Sequence, residues 1–423
     1  MPQTQWKVPP GCTHASHRDE LDHLRHALAE QLAFLHGESY DSYLLLEPGR
    51  QYFFSSDDQG VVGFSTWRNH LYVVGGLLTA PHQKAQLLRE FLEFAQLNHK
   101  DVSFLNLLAS DLPVFRSQQF EVSKIGEEPV VDLRTATWRG REFEWVRRQE
   151  NFCLRNGVSM EEVEPDFDCR WYREELVPQL EEVSRQHLAD TVYGRELSLV
   201  VSRLQLDNML RRRLFVARGP AGIEAFVVAT PACDGQLWAV ETYRRRPTAT
   251  RGVIAFLILQ IARQLQSEGT PFLSLCQVPA LRVNRGTASD SRFVRNGMSF
   301  WWNCLPWFYD VPRQYHFKSR FRPSYRECFI ASYPRTACLP LLAFFFKWGI
   351  IWPDFKRLPM QMLRRMRKWR HAERLADPNQ EQFELIERLP VAGGCGLIEP
   401  VAAPAFVPAE PIAVARPAVA SAR

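Results

Sequence analysis

Two groups of cations in this 423-residue chain are spaced so that they could handle a polyanion. The first is Arg244, Arg245, Arg246 and Arg251, followed at once by Gly252, within LWAVETYRRRPTATRGVIAFLILQIARQLQSEGTPFLSLCQV from Leu237 to Val278. Guanidinium groups delivered by a strand to the start of a helix build an anion site, because the unpaired N–H groups and the helix dipole point at the bound charge. The second is Lys318, Arg320 and Arg322 in HFKSRFR. If His316 to Arg322 is extended, those three cations share one face and Phe317, Ser319 and Phe321 the other, a ridge suited to phosphate oxygens. An edge strand guarded by charge accounts for the same spacing.

The elements that must position the first group are legible in the same stretch. Leu237 to Thr242 is apolar and β-prone, and Val253 to Gln266 carries a helical apolar stripe closed by Gly269. Phe272 to Val278 reads as the next strand. A hairpin precedes them, Arg213 to Ala217 and Ile223 to Ala229 around Gly219, Pro220 and Gly222. The same order occurs earlier: a hairpin (Gln51 to Ser56, Val61 to Trp67), a strand (Leu71 to Val74), a loop, a helix (Gln83 to Leu97) and a strand (Val102 to Leu108). A displacement of roughly 165 residues between like elements points to an internal duplication. The loops differ, since the first half has Gly75-Gly76-Leu77-Leu78-Thr79-Ala80-Pro81 without an arginine. Only the second half is equipped for a polyanion.

Other segments are less specific. Asp19 to Leu35 reads as an amphipathic helix ended by Gly37, and its His14, His17, His23 and His26 neighbourhood lacks the Cys or carboxylate partners of a metal site. Trp138 to Asn156 should be a helix with Thr137 as N-cap and Gly157 as its stop. Arg139, Arg141, Arg147, Arg148 and Arg155 make it basic, for which a solvated helix face is the simplest reading. Trp171 to Leu188 should be helical, with a kink or a fresh start at Pro178. Ala337 to Trp352 is the most hydrophobic run, too short to span a bilayer, and Lys356 to Arg374 is basic and amphipathic. Together they read as an interfacial anchor on an anionic leaflet. Leu397 to Arg423 is an Ala/Pro/Val-rich tail expected to be disordered.

Composition agrees with a globular protein of more than one domain: 46% of residues are hydrophobic, 23% charged, and the net charge is +5. Nine cysteines without a CxxC pair argue against structural zinc and a disulfide framework. The N-terminal residues show no apolar signal-peptide core, so a cytoplasmic location is expected.

Four motifs resemble one known family. They are the basic helix before Gly157, the acidic-x-x-Arg of Glu241-Thr242-Tyr243-Arg244, the Gly252-x-x-x-Phe256-Leu257 opening of a helix, and Phe317-Lys318-x-Arg320-Phe321-x-Pro323. Together they resemble the soluble catalytic region of bacterial aminoacyl-phosphatidylglycerol synthases, the multiple peptide resistance factors, over about Tyr43 to Tyr333. The resemblance implies an α/β (α+β) fold of tandem duplicated GNAT-like acyltransferase domains with mixed central sheets, followed here by a basic amphipathic helical tail. The expected division is 1–133 and 134–334, the second carrying the site, then 335–376 and the tail 377–423. Family members usually also carry an N-terminal multi-helix membrane region, which is not read in this sequence. This chain departs from the family's Asp-Leu-Met-Arg at Glu241 to Arg244, from an acidic residue at Ala255, and from a Gly-Asp-Pro turn at Gly75 to Leu77.

What the resemblance implies is transfer of an aminoacyl group from aminoacyl-tRNA to a lipid head group, most simply phosphatidylglycerol. Glu241 would receive the α-ammonium of the donor or the proton of the acceptor, and Arg244 a phosphate or the developing oxyanion. Lys318 with Arg320 would clamp a phosphate, and Arg245, Arg246, Arg251, Gly252 and Arg322 would bind the lipid or tRNA. No metal and no cofactor beyond the aminoacyl-tRNA donor is implied. The partners would be that RNA and an anionic phospholipid surface at the inner face of the cell membrane, with no DNA and no sequence signal for oligomeric state. Two alternatives stay open: an acyl-CoA-dependent GNAT N-acyltransferase, and a non-catalytic membrane-surface or RNA-binding module.

Overall fold

A computed structural model of the chain describes residues 6–16, 23–191, 193–197, 202–286, 290–306 and 309–334, with 341, 345 and 347. By its contacts the chain divides into Met1–Glu381 and Gln382–Arg423, and every described residue belongs to the first unit.

The first half opens with β1 (Thr13–Ser16) and α1 (His23–His36) and continues through β2 (Gln51–Phe54), β3 (Val61–Trp67) and β4 (His70–Leu78). It then runs through α2 (Lys84–Leu97), β5 (Asp101–Leu108), the short α3 (Leu112–Ser117) and β6 (Glu121–Asp132). After α4 (Glu144–Arg155), β7 (Ser159–Val163) and α5 (Val177–Ala189) come β8 (Arg213–Gly219), β9 (Gly222–Ala232), β10 (Leu237–Arg245), α6 (Val253–Ser267) and β11 (Phe272–Ser274). The two-residue β12 (Val278–Pro279), α7 (Arg292–Cys304), α8 (Val311–Ser319) and β13 (Ser324–Tyr333) complete the described chain.

The duplication is visible in the pairing. Strands β2, β3 and β4 are antiparallel neighbours, and α2 carries the chain over to β5, parallel to β4. Strands β8, β9 and β10 repeat the antiparallel run, and α6 carries the chain to β11, parallel to β10. The halves are joined by strands with no counterpart in the sequence reading. β6 leaves the first half to pair with β11 of the second, while β13 leaves the second to pair with β5 of the first. Those two strands also pair with each other, giving one mixed sheet in the order β1-β2-β3-β4-β5-β13-β6-β11-β10-β9-β8-β7. Gly126 in β6 lets β12 lie against it, because a Cβ there would drive into the carbonyl of Val278.

Each half is covered on both faces. Leu87, Leu88, Phe91 and Phe94 of α2 pack with Phe53, Phe64 and Phe104 on one face of the first, and Ala29, Leu32 and Ala33 of α1 pack with Tyr52 and Phe54 on the other. In the second, α6 has buried residues all around, from Val253 to Leu265, because the sheet covers one side and α4 the other. Its Phe256, Leu257, Ile258, Leu259 and Ile261 each contribute about 1.5–3 kcal/mol by burial. Leu180 and Val183 of α5 cover the opposite face against Phe226 and Val228.

Two local expectations are corrected and a third holds. The helix expected from Trp138 starts only at Glu144 after a 3-10 turn at Arg141–Phe143, because Trp138 and Gly140 take positive φ; Thr137 does not cap it. Pro178 does mark a fresh start, in the first turn of α5 after a π turn at Tyr172–Leu176. His316 to Ser319 is not extended but the end of α8, whose start is capped by Asp310 accepting from the Arg313 amide. Of the apolar run from Ala337, Leu341 and Phe345 pack inward with Trp67, Met298 and Trp301, and the Lys347 Nζ lies 4.5 Å above the Trp67 ring. The basic stretch Lys356 to Arg374 and the tail from Leu397 lie outside the described residues.

Candidate active site

Strand β10 carries a bulge: its register with β9 shifts between Val240 and Thr242, leaving Glu241 without a cross-strand partner. Its parallel pairing with β11 ends at Ala239 opposite Ser274, so the strands part just where Glu241 stands. Bulges re-aim a side chain in this way, and parted parallel strands make room for a ligand. The first half does likewise, since β4 and β5 stop pairing at Val73 and Phe104 and the β3/β4 register shifts between Val74 and Leu78, across Gly75 and Gly76.

Glu241 Oε2 accepts a hydrogen bond from Thr230 Oγ1 at 2.7 Å, while Oε1 is enclosed and has no partner among the described residues. Burial pushes this carboxyl up to about 7, against the pull of Arg212, and the charges of Glu47 and Asp41 push the same way. Glu47 and Asp41 belong to the first half, so the bulge of the second half faces the first. Asp41, 1% exposed, accepts from Ser39 Oγ, from Asn106 Nδ2 at 3.2 Å and from the Gly75 amide at 3.4 Å. Its carboxyl is pushed up to about 6, again by burial first.

A chain of hydrogen bonds continues across to the second half. Asn106 Nδ2 donates to Tyr40 Oη at 2.9 Å, and Tyr40 Oη donates to Gln277 Oε1 at 3.3 Å. Gln277 Nε2 is enclosed and has no partner among the described residues. Glu241 and Gln277 therefore both present unmet polar atoms beside the opening between β10 and β11, one an acceptor and one a donor. Buried polar atoms without partners carry a cost of about 1–3 kcal/mol each, which a ligand with an ammonium or hydroxyl and a carbonyl would remove.

The cations singled out from the sequence divide among different tasks. Arg244 is buried on β10 and reaches Glu196 at 3.4 Å, with its Nε unpartnered among the described residues. A Glu241–Arg244 salt bridge does not form among the described residues. Arg246 is tied down, donating from Nε to the Ile223 carbonyl at 2.6 Å and from Nη1 to Gln186 Oε1 at 3.3 Å. Arg245 is exposed, and its Nη1 donates to the Arg246 carbonyl at 3.3 Å. The anion position expected in the β10–α6 loop is filled by the protein itself. Glu224 accepts from the Thr250 amide at 2.8 Å and from Thr250 Oγ1 at 3.0 Å. Gly252, at φ +86°, begins α6 under the side chain of Gln149, whose Oε1 would stand 2.5 Å from a Cβ there. Arg251 points outward instead, beside Arg148 and Arg155 of α4.

Lys318 does not clamp a phosphate at a cleft mouth. It is 3% exposed, and its Nζ donates to the carbonyls of Cys276 at 2.9 Å and Gln277 at 3.1 Å, so it props the turn that presents Gln277. Burial lowers this ammonium to about 8. Arg320 donates to His316 Nε2 at 2.8 Å and lies 5.9 Å from the Trp145 ring centre, and Arg322 donates from Nε to the Glu142 carbonyl at 3.3 Å. The triple cationic ridge is thus not formed, because Lys318 turns inward at the end of α8 while Arg320 caps that helix and Arg322, at φ +54°, lies beyond it.

Asp41, Asn106, Tyr40, Gln277, Thr230 and Glu224 were not singled out by sequence reasoning. Asn106 left a trace, an amide inside the apolar run DVSFLNLL, and Gln277 another after FLSLC; Asp41 and Glu224 left none. Among the described residues no group of His, Cys, Asp and Glu is arranged to hold a metal, and no helix is long and apolar enough to cross a membrane.

The family described as phosphatidylglycerol lysyltransferase, C-terminal, matches residues 29–332. The chain is 22% identical over 283 residues to the phosphatidylglycerol lysyltransferase of Bacillus subtilis strain 168, covering 67% of this chain and 32% of that protein. It is 24% identical over 145 residues to the phosphatidylglycerol lysyltransferase of Staphylococcus aureus strain MRSA252, 34% of this chain and 17% of that protein. The matched region thus spans about a third of those relatives or less. Its fold is similar to that of L-PGS from Bacillus licheniformis, with a TM-score of 0.64 at 21% identity over 76% of this chain and 94% of the other.

Proposed function

Because the chain belongs to the family of the phosphatidylglycerol lysyltransferase C-terminal region, we propose that it is an acyltransferase moving an aminoacyl group from aminoacyl-tRNA to a lipid head group, most simply phosphatidylglycerol. One ester becomes another in this reaction. The protein's tasks are then to align two large anionic substrates, accept a proton and stabilise a tetrahedral oxyanion. The observation that carries the reading is Glu241, placed at a bulge beside parted strands with one oxygen enclosed and unpartnered.

In the proposed mechanism the acceptor hydroxyl attacks the aminoacyl carbonyl, and its proton passes to Glu241 Oε1. The C–O bond to the ribose 3′ oxygen then breaks, and Glu241 returns the proton to that oxygen as the tRNA leaves. A carboxyl held at about 7 is well matched to this exchange, since it is part ionised at neutral pH. Gln277 Nε2 and the unpartnered Arg244 Nε are the donors available for the substrate carbonyl and a phosphate. Lys318 and the chain Asp41–Asn106–Tyr40 act as positioning residues for Gln277. A lipid acceptor would bring this chain to a membrane surface during turnover.

The acyl-CoA alternative loses support from Glu224 and Gln149, which occupy the loop and helix start where a pyrophosphate would need free N–H groups. The experiment that tests the proposal is thin-layer separation of lipids after incubating the protein with phosphatidylglycerol liposomes and tRNA charged with radiolabelled amino acids. Label in the lipid fraction is the expected result, and omission of amino acids one at a time identifies the donor. No label from folded, liposome-exposed protein would overturn the proposal.

A further inference from the structure

The outer face of α4 has no part in the chemistry above. Its inner residues Val146, Gln149, Glu150 and Cys153 are buried, with Glu150 bonded to Gln260 and Arg263 of α6, so the helix is fixed in rotation. That leaves Arg148, Asn151, Phe152 and Arg155 along one exposed stripe at helical spacing. With Leu154 and with Arg251 from the β10–α6 loop they line an open groove of ≈ 700 Å³. Three of its lining side chains are guanidinium groups and none is a carboxylate. Arg148 also holds Glu144 at 2.6 Å, whereas the Arg251 guanidinium has no partner among the described residues. Phe152 is 39% exposed and Leu154 53%, an uncommon pair to leave in water beside three arginines. The cations continue along the helix, where Arg320 lies over Trp145 and Arg322 reaches Glu142.

We infer that this groove is a docking site for an exposed RNA strand of the aminoacyl-tRNA donor, its phosphates on Arg148, Arg155 and Arg251 and a base stacked on Phe152. Spaced cations around an aromatic are the arrangement that binds single-stranded nucleic acid without reading its sequence. A bilayer is the competing occupant, but three guanidinium groups set around one exposed aromatic ring, with no carboxylate in the lining, match the alternating phosphates and bases of a polynucleotide. The identity of the RNA rests on the proposed transfer reaction, while the groove itself rests on the geometry of α4.

The test is fluorescence anisotropy of the full chain with a labelled, uncharged tRNA transcript and with a labelled single-stranded RNA oligonucleotide, alongside sedimentation with phosphatidylglycerol vesicles. Phe152→Ala and the pair Arg148→Ala/Arg155→Ala should each weaken both RNAs roughly tenfold, and the arginine pair should flatten the salt dependence. Phe152→Trp should bind as wild type does, which separates stacking from a folding defect, and vesicle binding should not change. RNA binding unchanged in the Ala variants overturns the inference, as does loss of vesicle binding with RNA binding intact, which would make this face a lipid-docking surface. Transfer to lipid by wild type with unaltered RNA binding in the variants rejects the groove alone. RNA binding through the groove without transfer from any charged tRNA rejects the reaction alone.

Discussion

Glu241 can accept a proton, or hold an ammonium, only while it is ionised, and its carboxyl is held up to about 7. Transfer measured as kcat/KM should therefore rise with pH through that value and then level off. Glu241→Gln keeps the shape and the hydrogen-bonding reach to Thr230 but cannot take the proton, so activity should fall roughly hundredfold or more. The stability effect has the opposite sign. Between the usual carboxylate range and about 7 the folded state binds more protons than the unfolded, so Glu241 destabilises the fold progressively as pH rises through that window. Chemical denaturation should find Glu241→Gln more stable than wild type by about 1–3 kcal/mol at pH 8 and nearly equal to it at pH 4. Asp41, raised to about 6, adds to the same wild-type trend at slightly lower pH.

At the scale of the element, α8 and the β10–α6 loop hold their positions through charged side chains turned inward. Lys318→Ala would leave the Cys276 and Gln277 carbonyls without their donor, and thermal melting should show a loss of about 1.5–3 kcal/mol. Transfer should fall as well, because Gln277 is no longer fixed, with KM affected along with kcat. The loop closed by Glu224 yields a different expectation: titration calorimetry of wild type with acetyl-CoA should show no saturable binding. Tight binding there would restore the acyl-CoA reading. Gly252→Ala should cost about 1–3 kcal/mol, since φ +86° is strained for any other residue and Gln149 must move.

Across the whole molecule, β6 and β13 are exchanged between the halves. A fragment ending at residue 133 keeps β6 but loses all three of its partners, β11, β12 and β13, and leaves β5 without β13. Two long unpaired edges expose their backbone groups and invite aggregation. Such a fragment should show no cooperative thermal transition by circular dichroism, whereas residues 1–334 should melt in a single step. Independent folding of the fragment would show that the boundary at 133 separates autonomous domains.

Sequence by itself determined the repeating unit, because hairpin, strand, helix and strand are each written in local periodicity and turn residues, and α2 and α6 lie within a residue of where their apolar stripes place them. It also determined the strand that carries Glu241 and the family the chain belongs to, whereas the run of that strand on to Arg245, which takes in Arg244, was not read from it. Tertiary structure decided the rest. Strands β6 and β13 read as polar or interrupted segments because their partners lie far along the chain, and non-local pairing leaves no period in the sequence. HFKSRFR alternates as well as any strand, yet it became the end of a helix because burying Lys318 under two carbonyls and Phe321 in the second-half core outweighed that alternation. The meeting of Asp41 with Glu241 depends on how two halves close on each other, and that of Glu224 with the loop meant for an anion on how β9 lies against β10 within the second half; a charge carries no mark of which distant group it will face.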